Sequence, residues 1–459
     1  MLMKKSLYVY EFDISQEYVL YAWLTNKYVS FPVEEKKKVQ KILYSPESVV
    51  TVGERSILGI LLKAGCVVPS EFNEFSHAMV LHKRAIHASD RLMLTILPTL
   101  SCNCACTYCY ELHPSLSESK MDERTIEGIK NFIKKNIPYL KLLNIRWFGG
   151  EPLLCYDIIQ DINLYTKKLC TRYNVHFTSN ITSNGLLLNE SVGKNLNTIG
   201  IWEVQVTLDG NKDRHNRLRI LRNGDATYDN IMANIISFLS INRRNKIILR
   251  LHVHEEDKED EVLFGIKDVL DSIPKSLRRR INPYPHVIYS PKVEDWNIRE
   301  EQKEPLSVYT LCEKIIEMIV EKKYYPLFAG SDRGKVFACE FDADWSWTIL
   351  PDGHITKCTV AIESERAIGK LNNKGEMVFF NNRYAAFISK EWQGIIEKEC
   401  NSCVFLPLCW GRCSYQNYLR FMGGGDFFCS VNGVKKEWMI KRTLTFYGIN
   451  YLLNKKIKE

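Results

Sequence analysis

The chain has 459 residues, 45% hydrophobic and 25% charged, which is a globular composition with length enough for two or three cores. No apolar run approaches the roughly 20 residues of a spanning helix, and the N-terminal MLMKKSLYVYEFDISQ breaks at Glu11 and Asp13 without a cleavage site, so no membrane span or signal peptide is expected and a cytoplasmic location is. A formal charge of +8 requires no polyanionic partner, and fifteen cysteines, an odd number in a leaderless chain, favour metal or catalytic chemistry over a disulfide framework.

Residues 1–88 open with a hairpin pattern, EYVLYAWLTNKYVSFP, followed by helical stretches around EEKKKVQKILY and ERSILGILLKAG. A short hairpin is unstable alone and must pack on those helices. Its free edge is suited to receive an extended peptide by strand addition, and Lys36, Lys37 and Lys38 favour an acidic one, although a solvated helix face explains them as well. Residues 89–325 alternate strand and helix patterns. The strands are LMLTILP, LNIRWFG, NVHFTSNI, WEVQVTLD, KIILRLHVH and INPYPHVIY, separated by segments such as DERTIEGIKNFIKK and YDNIMANIISFLS. Such alternation predicts parallel βα units. Six units fall short of a closed eight-fold barrel, so a partial barrel is expected, with functional residues just after the strand C-termini. The run SLRRR at 276–280 reads as a solvated loop or helix end, and His252 and His254 share one strand face as structural or mouth-lining residues. Residues 326–459 concentrate cysteines, glycines and aromatics.

The segment SCNCACTYCY follows the first of these strands, and its Cys102, Cys106 and Cys109 have the spacing C-x3-C-x2-C. Three thiolates on one loop can hold three irons of a [4Fe–4S] cube and leave the fourth open to a small molecule; a zinc loop is the plainer alternative. Cys104 lies between them and is expected to point away.

With Tyr108 before the last cysteine, this loop on a six-unit barrel resembles the radical S-adenosylmethionine (SAM) superfamily. That resemblance implies an open iron chelating the methionine moiety of SAM, and reductive cleavage of SAM to a 5′-deoxyadenosyl radical that abstracts hydrogen from substrate. Further segments on successive loops match the family. Gly149, Gly150 and Glu151 stand in its GGEP, where Glu151 would accept from the methionine ammonium. Ser183 and Asn184, in TSNG, are the implied polar SAM contacts. In VTLDG…RHNRLR, Thr207 takes a serine position and Arg219 is the implied partner of the SAM carboxylate.

The later cysteines resemble the seven-cysteine SPASM domain, which carries two auxiliary [4Fe–4S] clusters. The resemblance implies that Cys400, Cys403, Cys409 and Cys429 hold a distal cluster and that Cys339, Cys358 and Cys413 hold a nearer one. The nearer cluster lacks a fourth ligand: either Cys312 reaches it from a helix or the site is open, the preferred reading. A zinc ribbon is the alternative for these C-x2-C pairs. Cys66, Cys155 and Cys170 read as small buried hydrophobes.

The expected organisation is therefore α/β. A winged-helix-like α+β recognition domain (1–88) precedes a partial (β/α)6 TIM-type barrel (89–325) and a cysteine-rich SPASM domain (326–459). The expected cofactors are SAM and three [4Fe–4S] clusters. The expected partners are a ribosomal precursor peptide with its leader and an electron donor such as flavodoxin or ferredoxin, with no membrane or nucleic acid. The expected activity is hydrogen abstraction from the precursor followed by an intramolecular thioether or carbon–carbon cross-link. A formylglycine-forming enzyme like the anaerobic sulfatase maturases, a peptide epimerase and a zinc protein binding nucleic acid are the alternatives. Removal of residues 1–85 is expected to leave clusters and SAM cleavage largely intact.

Overall fold

The architecture is that of a computed structural model describing residues 2–14, 16–25, 27–109, 119–254, 257–288, 306–324, 339–362, 364–389, 398, 400–404, 406–410, 413–415 and 417–418. The chain divides into two compact units. One comprises Met1–His87, Gly330–Ala343 and Ser389–Glu459; the other comprises Ala88–Ala329 and Asp344–Ile388.

The first unit begins with strands β1 (Met3–Lys5), β2 (Val9–Ile14), β3 (Glu17–Ala22), β4 (Lys27–Pro32) and β5 (Val67–Pro69), and helices α1 (Lys36–Tyr44), α2 (Val52–Ala64) and α3 (Glu74–Ile86). β2, β3 and β4 form an antiparallel sheet with β3 central, and β1 pairs with β5. Tyr18 to Ala22 of β3 are all buried, as a strand covered on both faces requires. The sequence pattern shows the β3–β4 hairpin but not β2, which occupies the edge of β3 expected to be free. Among the described residues the outer strands of this sheet are β2 and β4. α2 starts in a capping box between Thr51 and Glu54 and stops at Gly65, whose φ of 85° suits a residue without Cβ. A core of Val9, Leu20, Phe31, Val39, Ile42 and Leu61 holds sheet and helices together.

A second apolar cluster in this unit joins Tyr8 and Ala78 to Leu406 and Trp410, with Phe75, Met79 and Cys400 against it. The Trp410 ring stacks on His82 with centroids 4.0 Å apart and planes 11° from parallel. Residues 1–85 therefore contribute directly to the packing of the cysteine-rich segment. Their removal strips the cover from Leu406 and Trp410, each 1% exposed.

The second unit carries six parallel strands in chain order, β6 (Arg91–Ile96), β7 (Leu142–Trp147), β8 (His176–Ser183), β9 (Ile201–Leu208), β10 (Lys246–His254) and β11 (Ile281–Ile288). Between and after them run α4 (Glu123–Asn136), α5 (Tyr156–Tyr173), α6 (Glu190–Thr198), α7 (Lys212–Leu218), α8 (Tyr228–Ile241), α9 (Glu259–Ser272) and α10 (Leu306–Glu321). One face of the strands, including Leu94, Ile145, Trp147, Val204, Leu249 and Leu251, is buried in a single core. This is an α/β fold with a mostly parallel sheet, and among the described residues β11 does not pair back onto β6.

On the other side of β6, Ser346–Ile349 (β12) adds in parallel, and His354–Thr356 (β13), Gly369–Leu371 (β14) and Met377–Phe379 (β15) continue antiparallel before α11 (Asn381–Ser389). Residues 344–388 therefore pack with the parallel sheet rather than with the rest of the stretch 326–459, because β12 bonds alongside β6. The segment DWSWTIL supplies that strand. Within the arginine run Arg279 is exposed, as a solvated helix end would be, while Arg278 is not. Buried Arg278 donates Nε to Ile273 O at 3.2 Å and Nη1 to Lys322 O at 3.1 Å, capping chain ends with its fork.

Candidate active site

The matched segments lie at the C-terminal ends of successive strands of the second unit. The cysteine loop leaves β6 and is stitched to the segment after α7: Ala105 N donates to Ile220 O at 2.8 Å, Thr107 N to Leu218 O at 3.1 Å and Arg222 N to Asn103 O at 3.2 Å. Cys106 is buried, and Cys102 and Cys109 are partly exposed. Cys104 does not point away. It is 1% exposed, and the Asn184 amide that reaches its sulfur at 3.4 Å also lies 3.7 Å from that of Cys102. Among the described residues no three His, Cys, Asp or Glu are gathered tightly enough to chelate one ion, whereas the irons of a cube stand apart and take thiolates at separate corners. Three thiols on one pinned loop fit such a cube.

After β7, Gly149 has a φ of 109° and lies so close to Thr99 that a Cβ would sit 2.3 Å from its carbonyl oxygen. A Cβ on Gly150 would lie 2.4 Å from Ser101 O and 2.5 Å from Leu100 O. Both glycines let the second loop rest directly on the backbone leading into the cysteine loop. Glu151 N donates to Ser101 O at 2.9 Å. The Glu151 carboxylate is fully buried and accepts from Leu153 N (3.0 Å), Ser183 Oγ (3.0 Å) and Asn184 N (2.7 Å). Burial pushes its pKa up to about 7, against the pull of these donors. Asn184 turns its side chain to the cysteine loop, donating Nδ2 to Asn103 Oδ1 at 2.6 Å and towards Cys104 Sγ at 3.4 Å.

At the ends of β9 and β10 a buried network centres on Asp209, which sequence reading passed over inside VTLDG. Its carboxylate accepts from Tyr108 Oη (2.6 Å), Arg219 Nε (3.0 Å) and His252 Nδ1 (3.0 Å), while Arg219 Nη2 donates to Tyr108 Oη at 2.6 Å. Burial alone would raise the Asp209 pKa, but Arg219 and the histidines hold it well below the usual carboxylate range. Burial also depresses His215 and His252 to about 4. Both imidazoles are therefore neutral at pH 7. His215 Nδ1 accepts from Asp209 N at 3.2 Å, which places its proton on Nε2, 3.0 Å from Thr227 Oγ1. The Thr227 hydroxyl in turn donates to Arg219 O at 2.6 Å, so the network fixes Arg219 from both ends. Thr207 is buried on β9, one residue before Leu208.

Of the later cysteines, Cys400 and Cys403 share one turn, with Cys403 N donating to Cys400 O at 3.0 Å, and Cys409 ends a short helix, Leu406–Cys409. Cys339 opens a turn closed by Ala343 N, and Cys413 lies near it in the same unit, since Ser414 Oγ donates to Asp342 Oδ2 at 2.6 Å. Cys358 follows β13 in the other unit. Cys429 lies outside the described residues. Cys312 is buried on α10, and Cys66, Cys155 and Cys170 are core residues as expected. No helix among the described residues is long and apolar enough to cross a membrane.

Comparison with known proteins agrees with this geometry. Residues 96–264, from the end of β6 into α9, match the radical SAM superfamily. The chain is 22% identical over 386 residues to the cysteine-type anaerobic sulfatase-maturating enzyme of Clostridium novyi, an alignment covering 77% of this chain and 98% of that protein. The structure of anSMEcpe with bound AdoMet and the Cp18Cys peptide superposes with a TM-score of 0.58 at 19% identity, covering 80% of this chain and 99% of that one. SuiB of Streptococcus suis bound to S-adenosylmethionine superposes with a TM-score of 0.50 at 14% identity, covering 92% and 96%. With the cysteine loop, the glycine pair and the Asp209 network placed at consecutive strand ends, residues 96–264 form a radical SAM domain, and the chain is an enzyme built to use SAM and an iron–sulfur cluster.

Proposed function

We propose that the protein is a maturase of ribosomally made peptides, which abstracts hydrogen from its precursor and closes an intramolecular thioether or carbon–carbon cross-link. The observation that carries this reading is the α+β unit of β1–β5 and α1–α3 ahead of the barrel. Its sheet has β2 and β4 as outer strands, an arrangement to which an extended leader would add as a further strand, and residues 1–88 are assigned as a winged-helix-like recognition domain. SuiB covers more of this chain than anSMEcpe does, 92% against 80%, which favours a fold with such an addition. The peptide held by the anSMEcpe structure supports a peptide as the class of substrate. The same likeness supports the second reading, a formylglycine-forming maturase.

Cys102, Cys106 and Cys109 would hold the SAM-binding cluster, which when bound with SAM supplies hydrogen-atom abstraction through reductive cleavage of SAM. The residues around it bind and orient. Arg219, whose Nε and Nη2 are committed to Asp209 and Tyr108, offers Nη1 to the SAM carboxylate. Glu151, Ser183, Asn184 and Thr207 would supply the polar contacts to SAM. Gly149 and Gly150 bring backbone close, and the Tyr108 ring covers the site. Residues 326–459 are assigned as a SPASM domain with two auxiliary clusters, Cys400, Cys403, Cys409 and Cys429 holding the distal one and Cys339, Cys358 and Cys413 the nearer, left open to substrate. Flavodoxin or ferredoxin would supply the electron.

The test incubates the reconstituted enzyme, SAM and a reductant with the small peptide encoded beside its gene, and separately with a sulfatase-derived peptide bearing cysteine. Loss of two hydrogens from the first peptide, with no aldehyde formed on the second, is expected. Aldehyde on the sulfatase peptide alone would overturn the reading in favour of formylglycine formation.

A further inference from the structure

Opposite their apolar core, the parallel strands of the second unit carry a polar face, and on it one cation that no described residue neutralises. We propose that this cation, Arg250, binds a carboxylate of the peptide substrate beside the SAM site, a specificity contact that rests on the reading of the protein as a peptide maturase.

Successive residues of β10 turn to opposite faces. Leu249, Leu251 and Val253 enter the core, so Arg250 and His252 share the other face. Arg250 Nε donates to Tyr284 Oη at 2.5 Å, Tyr284 Oη donates to Gln205 Oε1 at 3.3 Å, and Gln205 Nε2 reaches Thr182 Oγ1 at 3.5 Å. This relay crosses four strands and, with Arg250 Cζ 5.7 Å from the centre of the Tyr284 ring, holds the guanidinium plane in place. Among the described residues Nη1 and Nη2 make no hydrogen bond, and the guanidinium makes no ion pair. A guanidinium held through Nε keeps its two-pronged Nη edge, which matches a carboxylate in shape and charge.

His252 supplies an independent sign of a ligand on this face. It is 5% exposed, its Nδ1 donates to Asp209, and its Nε2, left as an acceptor, is buried without a partner. A buried acceptor with no donor costs free energy that an N–H or O–H of a ligand removes. Arg250 and His252 leave the strand about 6.6 Å apart. An acidic residue of a peptide carries both groups that this pair lacks, a backbone N–H for His252 and a carboxylate for Arg250. A C-terminal residue carries the same two groups closer together.

The experiment uses the reconstituted full-length enzyme and its Arg250→Gln and Arg250→Lys variants, loaded with SAM and kept unreduced. Saturation-transfer NMR reads the binding of two pairs of probes. N-acetylglutamate N-methylamide and its glutamine twin place the charge on a side chain; N-acetylalanine and its N-methylamide place it on a chain end. The parent is expected to bind an acidic probe about tenfold more tightly than its neutral twin, and the preferred probe identifies which carboxylate is taken. Arg250→Lys should keep part of the preference and Arg250→Gln none. Equal binding of both pairs by the parent, or a preference that survives in Arg250→Gln, overturns the proposal. Loss of SAM binding in Arg250→Gln overturns it as well, since Arg250 would then serve the cofactor. If Arg250→Gln does not fold, Arg250→Lys decides: it keeps the charge but not the two-pronged edge, and an undiminished preference refutes the contact. No turnover is involved, so a modified precursor without any carboxylate preference removes this contact alone, and a preference without modified precursor removes the maturase reading.

Discussion

Gly150→Ala tests whether the second loop positions the first. The added Cβ would stand 2.4 Å from Ser101 O and 2.5 Å from Leu100 O, where carbon and oxygen normally approach to about 3.3–3.6 Å. The overlap of roughly 1 Å is with backbone atoms, so no side-chain rotation relieves it, and insertion into a packed site costs about 1–3 kcal/mol. Separating the loops also loosens the bonds from Glu151 N to Ser101 O (2.9 Å) and from Gly150 N to Thr99 O (3.3 Å), each worth about 0.5–1.5 kcal/mol. The expected loss is therefore about 2–5 kcal/mol, taken where Ser101 joins Cys102. Anaerobic thermal unfolding and iron analysis of the reconstituted protein read it: unfolding several degrees lower, with incomplete iron. The control is Gly200→Ala, which carries φ strain (92°) but no atom within 4 Å of its Cβ and should cost about 1–2 kcal/mol with full iron loading. If Gly150→Ala loads iron fully and unfolds no earlier than Gly200→Ala, the two loops do not bear on one another as described.

Glu151→Gln should remove a pH dependence of stability. A buried carboxyl with a pKa of about 7 when folded and about 4.3 when unfolded loses its proton first in the unfolded state. The parent is therefore destabilised progressively as pH rises from about 4.3 to about 7, by about 3–4 kcal/mol in all, and is insensitive to this group below and above that window. Denaturation midpoints at pH 4.5 and 7.5, without SAM, should shift further in the parent than in the variant; parallel shifts refute the assignment. Trp410→Ala removes a ring 1% exposed and stacked on His82, an expected loss of about 3–5 kcal/mol. Faster amide exchange in α3, more than three hundred residues away in sequence, should follow, and unaltered exchange there would mean that the two segments fold independently.

The parallel strands were legible because each is a short β-branched or aromatic run whose alternate residues, such as Leu143, Ile145 and Trp147, enter one core. The site residues were legible because they cluster at the ends of those strands, on loops where spacing is a chemical requirement: thiolates on one cube, and glycines where backbones touch. What the sequence hid depends on partners distant in the chain. Cys104 looks like a spacer until Leu221 and Asn184 fix which way it turns. Asp209 reads as a turn residue before glycine until Tyr108, Arg219 and His252 converge on it. β2 alternates Glu11 and Asp13 with Tyr10, Phe12 and Ile14, but it is short and its two acidic residues masked it in the sequence. It becomes a strand only by pairing with β3, where Lys5, Tyr18 and Tyr44 satisfy Glu11 and hold its carboxyl down to about 2.

The same logic explains why composition drew a domain boundary in the wrong place for packing. Cysteine content changes near residue 326, but what decides which segments cohere is where apolar surface is covered. Ser346–Ile349 finds its cover beside Met93–Ile96, and Leu406 and Trp410 find theirs on Tyr8 and Ala78. The chain thus closes its N-terminal unit with residues that arrive after the barrel has been made. A perturbation of α3, which carries both Ala78 and His82, must reach the turn of Cys400 and Cys403, because Cys400 packs against the same cluster.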